Sequence, residues 1–460
     1  MEQVAIFASK VYNDDKLLYL ACLLVSLPLS QGLKLMPNAT YRHVYGTLLG
    51  IIFCAINFGL IPLIFCVATS VSVWKIIHYP WSSPMITTIF AFVTCSIAHL
   101  WIMFHDYLGW HMDFTGVQNI LTLKFVMWAF NMHNRRRNGA TASVSVTGKV
   151  RTIEEYDRKA MLVTDPTLLQ YFSHLFWFSN VLTMPIFEPK QHIQWVETYD
   201  TSETFKPSFI ALIYGLGIGL IGFVVQPHMS TQWMMQHEWT FETSIWHKMG
   251  YIWAFMVVSK LPYYAGWLLA ESSTIACGMG RGISWLAPPD INNAGLNKKW
   301  IGASTVAVVG VESSRNFVEV TRSWNYSTSG WLRHYVYLRV HKKYATVVTF
   351  FVSALWHGFY PGYYISFMGA ALHTIFGRLL FKYMDKFEKN STITNTCLIL
   401  LNSFITSYLF AGFIMLGWEQ CWHVYGHTYF VGHLIVIGFS ALLWLRSGRS
   451  SVQQSAHTNQ

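Results

Sequence analysis

Apolar stretches of about twenty residues, enough to cross a bilayer as a helix, recur along nearly the whole of this chain. They cover residues 17–36, 44–73, 86–104, 168–187, 209–225, 251–270, 346–365, 367–383, 396–418 and 424–445, and the second is long enough to bend or re-enter. Shorter apolar pieces at 117–130 and 301–311 read as interfacial or re-entrant. Only 12% of the 460 residues are charged, against about 25% in a soluble domain. The pattern predicts an all-α polytopic membrane protein. It would be a single domain over 1–460, with roughly ten to eleven transmembrane helices plus short re-entrant or interfacial helices.

Lysine and arginine number 32 against 22 Asp and Glu, a net charge of +10. In a soluble chain that excess would suggest nucleic acid. In a membrane chain basic residues gather in cytoplasmic loops beside anionic headgroups, so no nucleic-acid partner is expected. Residues 134–161, NRRRNGATASVSVTGKVRTIEEYDRKAM, are the clearest such loop, and 447–460 read as a polar C-terminal tail. The seven cysteines lie singly in or beside apolar runs with no CxxC, which argues against a disulfide framework or a zinc site. The absence of a glycine-rich phosphate loop removes ATP-driven pumps. Acidic VYNDDK precedes the first apolar run, unlike the basic start of a cleaved signal, so that run is expected to stay as the first span. Asn38 and Asn390 open glycosylation sequons, which matter only if their loops face a lumen.

Ionisable groups among apolar residues are costly, and are therefore paired, interfacial or functional. Three places stand out. HLWIMFHDYLGWHMDFTGVQN, residues 99–119, carries His105, Asp106, His111 and Asp113 among aromatics. It reads as an interfacial cap or as part of a cavity wall, with DFTG as a helix-start cap. KLPYYAGWLLAESS holds Lys260 and Glu271, which are ~16 Å apart along a helix and unable to pair. Lys260 can snorkel to the interface, whereas Glu271 marks either a polar cavity or a wet helix end. The third place is 311–364. There an amphipathic segment with an Arg315/Glu319 pair breaks at Asn325. A basic stripe of Arg333, Arg339, Lys342 and Lys343 then precedes the span that carries His357.

SALWHGFYPGYY puts His357 in apolar surroundings. The proline at 361 lacks the N–H that would meet the carbonyl of residue 357, so the helix is expected to open there. Gly358 and Gly362 let something approach closely. Lys343 to His357 is ~21 Å of helix, which places the imidazole well inside a hydrocarbon layer of about 30 Å. A cytosolic reactant would reach it only by a long arm through a tunnel from the basic rim. A lone histidine on an apolar face is more often a satisfied core residue. The coincident proline and glycines make a general base an equal reading.

WNYSTSGWLRHYVYLR followed by SALWHGFYPGYY resembles the membrane-bound O-acyltransferase family, in its lysophospholipid acyltransferase branch. HMDFTGVQNILTLK and YYAGWLLAESS look like two further segments of that branch, so the matches spread over residues 111–364. The resemblance implies helices around a central tunnel or chamber in the endoplasmic-reticulum membrane. It implies transfer of a fatty acyl group from acyl-CoA to the free hydroxyl of a lysophospholipid, with no cofactor beyond acyl-CoA as co-substrate. Membrane lipids would surround the protein, and a homodimer is left open. Carried over residue by residue, His357 is the general base and Asn325 the second polar catalytic group. Trp324, Trp331 and Trp356 become candidates for the acyl tunnel wall, or for plain core packing. Arg333, Arg339, Lys342 and Lys343 become candidates for the CoA phosphates, and Asp113 and Glu271 for the substrate site. The alternatives are a sterol, diacylglycerol or protein acceptor, or a transporter or scramblase in which His357 is a protonation switch.

Overall fold

The computed structural model describes residues 14–138, 152–282, 286, 298–384 and 391–457. The regular elements among them are helices, and no strand occurs among the described residues. The first half opens with α1 (Asp15–Ser30), α2 (Ala39–Phe58), α3 (Leu60–His78), α4 (Pro84–His105) and α5 (Thr115–Asn138). Three short helices follow, α6 (Ile153–Ala160), α7 (Leu168–Leu175) and α8 (Pro189–Thr198), and then α9 (Phe205–Val225), α10 (Ile245–Ser259) and α11 (Leu261–Ala276). After these come the short α12 (Val308–Glu312), α13 (Phe317–Ser323) and α14 (Tyr326–Tyr335). The chain then runs through α15 (Ala345–His357), α16 (Pro361–Met384), α17 (Thr392–Met415), α18 (Trp418–Gly426) and α19 (Val431–His457). The basic loop expected at 134–161 and the sequon at Asn390 lie partly or wholly outside the described residues. Asn38 instead caps α2, its side chain accepting from the Tyr41 amide at 3.3 Å.

Six helical stretches among the described residues are long and apolar enough to span a membrane: Asp15–Leu35, Ala39–Phe58, Leu60–His78, Pro84–His105, Phe205–Met235 and Thr392–Met415. The count reaches seven if α18 and α19, bent by 74°, form one span. Ten to eleven spans are thus not reached among the described residues, because several apolar runs are not continuous helices: 251–270 break at Lys260 ahead of Pro262 and 346–365 stop at His357. Residues 44–73, by contrast, divide at Gly59 and supply two candidate spans. Residues 117–130, expected to be interfacial, belong instead to the buried α5.

The largest departure is 168–187, which is no span at all. Its helix ends at Leu175, and residues 176–188 run on buried without helical structure. Irregular backbone at such depth is tolerated only where protein satisfies its polar groups. Buried Lys124 of α5 anchors the start of this segment, donating to the carbonyls of His174 (2.7 Å) and Leu175 (3.1 Å), the last two of α7, and to Asn180 Oδ1 (3.4 Å). The cation thus sits on the negative end of α7, where the helix dipole favours it. Around this core, the outer faces of α3, α4 and α9 expose Ile61, Ile64, Phe104, Leu220 and Phe223, the composition of a lipid-facing surface.

Candidate active site

His357 is the last residue of α15, and α16 starts at Pro361. The sequence pattern led us to expect one opened helix; the structure instead ends it. Gly358 takes φ +123°, and its N–H returns to the carbonyls of Ala354 (3.2 Å) and Leu355 (3.3 Å). Pro361 then stands first in α16, where a missing N–H has no intrahelical partner to lose. The carbonyls at the end of α15 are released because the helix stops, not because the proline lacks a donor. Both glycines do permit close approach. A Cβ on Gly358 would lie 3.1 Å from His99 Nδ1, and one on Gly362 would lie 2.0 Å from the Gly412 carbonyl oxygen of α17.

The His357 ring is enclosed by Trp356 (centroids 4.6 Å apart), Phe367 (5.1 Å), Phe413 (5.1 Å) and Tyr363 (5.8 Å). It has no hydrogen-bond partner among the described residues, yet its side chain is not fully buried.

Asn325 sits at φ +38° as the N-cap of α14. Its Oδ1 accepts from the Thr328 amide and from Ser327 Oγ, both at 3.4 Å. The turn role read from the sequence is therefore present. Its side-chain N–H groups have no acceptor among the described residues, which leaves them available as donors. Trp324 packs on Trp267 (4.9 Å), Tyr264 (5.5 Å) and Tyr263 (6.0 Å). The rings around His357 form one aromatic wall, and those around Trp324, the neighbour of Asn325, form a second grouping.

The other candidates separate by environment. Trp356 belongs to the wall and donates its indole N–H to the Asn119 carbonyl at 3.0 Å. Trp331 is a core anchor: it is fully buried, with its indole on the Leu123 carbonyl at 3.0 Å. Arg339 is already occupied, forking onto Asp157 at 2.7 and 3.3 Å and donating to the His334 carbonyl at 3.0 Å. It ties α14 to α6 rather than standing open to a phosphate. Lys342 and Lys343 are exposed, and Arg333 is half-buried. Asp113 starts α5, accepting from Thr115 N (2.7 Å) and Thr115 Oγ1 (2.5 Å), the cap that DFTG suggested. Glu271 is fully buried and accepts from Ser304 Oγ at 2.6 Å, which overturns the wet helix end. Lys260 does not snorkel alone; it pairs with Glu312 at 2.6 Å.

Two polar groupings escaped the sequence reading. One is Glu188 at the start of α8, which accepts from the hydroxyls of Tyr156 and, at 2.9 Å, Tyr335. Burial pushes its carboxyl up to about 7, against the pull of the two phenols. The other is His99 with Asn119. His99 Nε2 lies 2.9 Å from Asn119 Oδ1 and 3.0 Å from the Trp356 carbonyl oxygen. The one available signal was the span of the stretch HLWIMFHDYLGWHMDFTGVQN: these two residues are its first and its last.

The model of the membrane-bound O-acyltransferase family matches residues 76–415, and the chain belongs to that family. Lysophospholipid acyltransferase 1 of Arabidopsis thaliana is 25% identical over 459 residues, covering 94% of each chain. Membrane-bound glycerophospholipid O-acyltransferase 1 of Homo sapiens is 27% identical over 461 residues, covering 92% of this chain and 87% of its own. Lysophospholipid acyltransferase of Saccharomyces cerevisiae is 24% identical over 369 residues, or 72% of this chain.

Proposed function

We propose that the protein transfers a fatty acyl group from acyl-CoA to the free hydroxyl of a lysophospholipid, in the endoplasmic-reticulum membrane. The observation that carries this reading is the His357 imidazole, caged by four aromatic rings, accessible and without a hydrogen-bond partner among the described residues. The names of the full-length relatives support the acceptor class.

The thioester is already activated, so the reaction asks only for a base and a charge acceptor. His357 takes the proton of the lysophospholipid hydroxyl as its oxygen bonds to the thioester carbonyl carbon. The carbonyl electrons move to oxygen, where the Asn325 amide donates an N–H. On collapse the carbon–sulfur bond breaks, and the departing CoA sulfur receives the proton from the His357 imidazolium. Lys342 and Lys343 supply exposed positive charge for the CoA phosphates, and the aromatic wall holds the acyl chain.

Purified protein in nanodiscs, given labelled acyl-CoA and a panel of lysophospholipids, a sterol, a diacylglycerol and a peptide, tests the reading. Labelled diacyl phospholipid is expected. Labelled sterol ester or acylpeptide alone would overturn the acceptor, and lipid movement with no thioester cleavage would overturn the chemistry.

A further inference from the structure

The end of α15 is gripped from the side by two helices that contribute nothing else to the His357 cage. His99 of α4 approaches both Asn119 Oδ1 and the Trp356 carbonyl through Nε2. Both partners are acceptors, so the hydrogen-bond network assigns the proton to Nε2 and leaves Nδ1 as an acceptor. Asn119 of α5 returns a contact, its backbone oxygen receiving the Trp356 indole at 3.0 Å. Cys95, one turn before His99, adds a thiol 3.0 Å from the same Asn119 Oδ1. The flat face of His99 lies against Gly358, where a Cβ would stand 3.1 Å from Nδ1 and 3.2 Å from Cγ. The residues on either side of His357 are therefore held by the same imidazole, although His357 itself is not bonded.

We infer that His99, locked by Asn119, is a positioning residue that fixes the break between α15 and α16 and so sets the direction of the His357 ring. The carbonyl of Trp356 is among the last four of its helix and has no intrahelical donor. Without His99 its remaining contact is the weakly donating Cys95 thiol at 4.0 Å, which leaves the carbonyl free to turn and take the His357 backbone with it. Misplacing a general base by about 1 Å costs on the order of 10²-fold in rate. This inference rests on His357 being the base of the acyl transfer proposed above.

The test compares His99→Ala, His99→Gln and His99→Asn in the full chain. Glutamine can carry an N–H to about the position of imidazole Nε2, whereas asparagine is too short. His99→Ala and His99→Asn are expected to lower kcat by about 10- to 100-fold with KM for both substrates within about twofold, and His99→Gln to recover most of the loss. Activity is normalised to the folded fraction from thermal melting. An unchanged kcat in His99→Ala, or equal loss in all three variants, would overturn the inference. So would a loss that vanishes on normalisation. A second readout needs no turnover: the rate at which diethyl pyrocarbonate modifies His357, mapped by peptide mass spectrometry, should change several-fold in His99→Ala and return in His99→Gln. If the wild type esterifies no lysophospholipid but this pattern holds, only the acceptor assignment fails. If the wild type is active and the pattern is absent, only the positioning role fails.

Discussion

Histidines in two regions of this protein meet opposite conditions. Between α2, α7 and α8, His43 and His192 share Ser173 Oγ at 2.8 and 3.0 Å. His174 receives the Trp128 indole on Nδ1 at 3.0 Å, so its Nε2 must donate to the Phe187 carbonyl at 2.7 Å. All three rings are buried and each is hydrogen-bonded. At the α15–α16 break, His357 packs against four aromatic rings, has no hydrogen-bond partner among the described residues and keeps accessible surface. In the first arrangement two imidazoles hold Ser173 of α7 and the third ties α7 to the non-helical segment that follows it. The second leaves one partly exposed ring without a hydrogen bond. Burial alone therefore does not single out the proposed base; the unbonded, partly exposed ring does.

That contrast can be broken by substitution. His357→Ala should cut acyl transfer per folded molecule by about 10²–10⁴-fold, the usual share of a general base, beyond any loss of stability from the emptied aromatic cage. Activity near wild type would erase the distinction. Asn325→Asp comes next. It keeps the oxygen that caps α14 but removes the amide donor, so turnover should fall by about 10²–10³-fold without loss of folded protein. Asn325→Ala would in addition forfeit the cap, about 1 kcal/mol.

The scaffold side should show the reverse signature. Lys124→Met leaves the carbonyls of His174 and Leu175 without their donor, at about 1–3 kcal/mol for each buried group. The melting temperature should drop while kcat per folded molecule holds. A kcat effect with unchanged melting would place Lys124 in the catalytic half of the comparison instead.

Two smaller effects sharpen the picture at the polar rim. Neutralising Lys342 and Lys343 together should raise KM for acyl-CoA a few-fold, more at low salt than at high, and leave KM for the lysophospholipid alone. Glu188 gives the smallest effect, visible through pH. In the unfolded chain its carboxyl ionises near 4.5, and in the fold near 7. The unfolded state therefore loses its proton first, and this residue's contribution to stability declines as pH rises through that window. Glu188→Gln should melt like wild type at pH 4.5 and above it at pH 8. Equal melting at both values would mean that the Tyr156 and Tyr335 hydroxyls fully compensate the buried charge.

Legibility from sequence followed the kind of interaction involved. Runs 17–36, 86–104, 209–225 and 396–418 were readable as spans because their helices face lipid and carry the apolar signal that lipid demands. Run 168–187 was misread for the same reason. Its residues are apolar because protein surrounds them, and hydropathy does not distinguish a protein interior from a bilayer. The break at 358–361 was legible through glycine and proline, although its form, an ended helix rather than an opened one, depended on φ at Gly358. Asp113 as a cap was legible because its partner Thr115 is two residues away.

By itself the sequence determined that the chain lives in a membrane and where the positive charge gathers, and it carried Asn325 and His357 within two segments that resemble an acyltransferase. The first two follow from composition and from patterns a few residues long; the third is a likeness of motifs. Only the tertiary structure decided that Arg339 is held by Asp157, that Trp331 is core while Trp356 is wall, and that His99 and Asn119 meet at the end of α15. Those pairings join residues far apart in the chain. Their energy depends on distances that no local pattern encodes, so they exist only once the helices have packed.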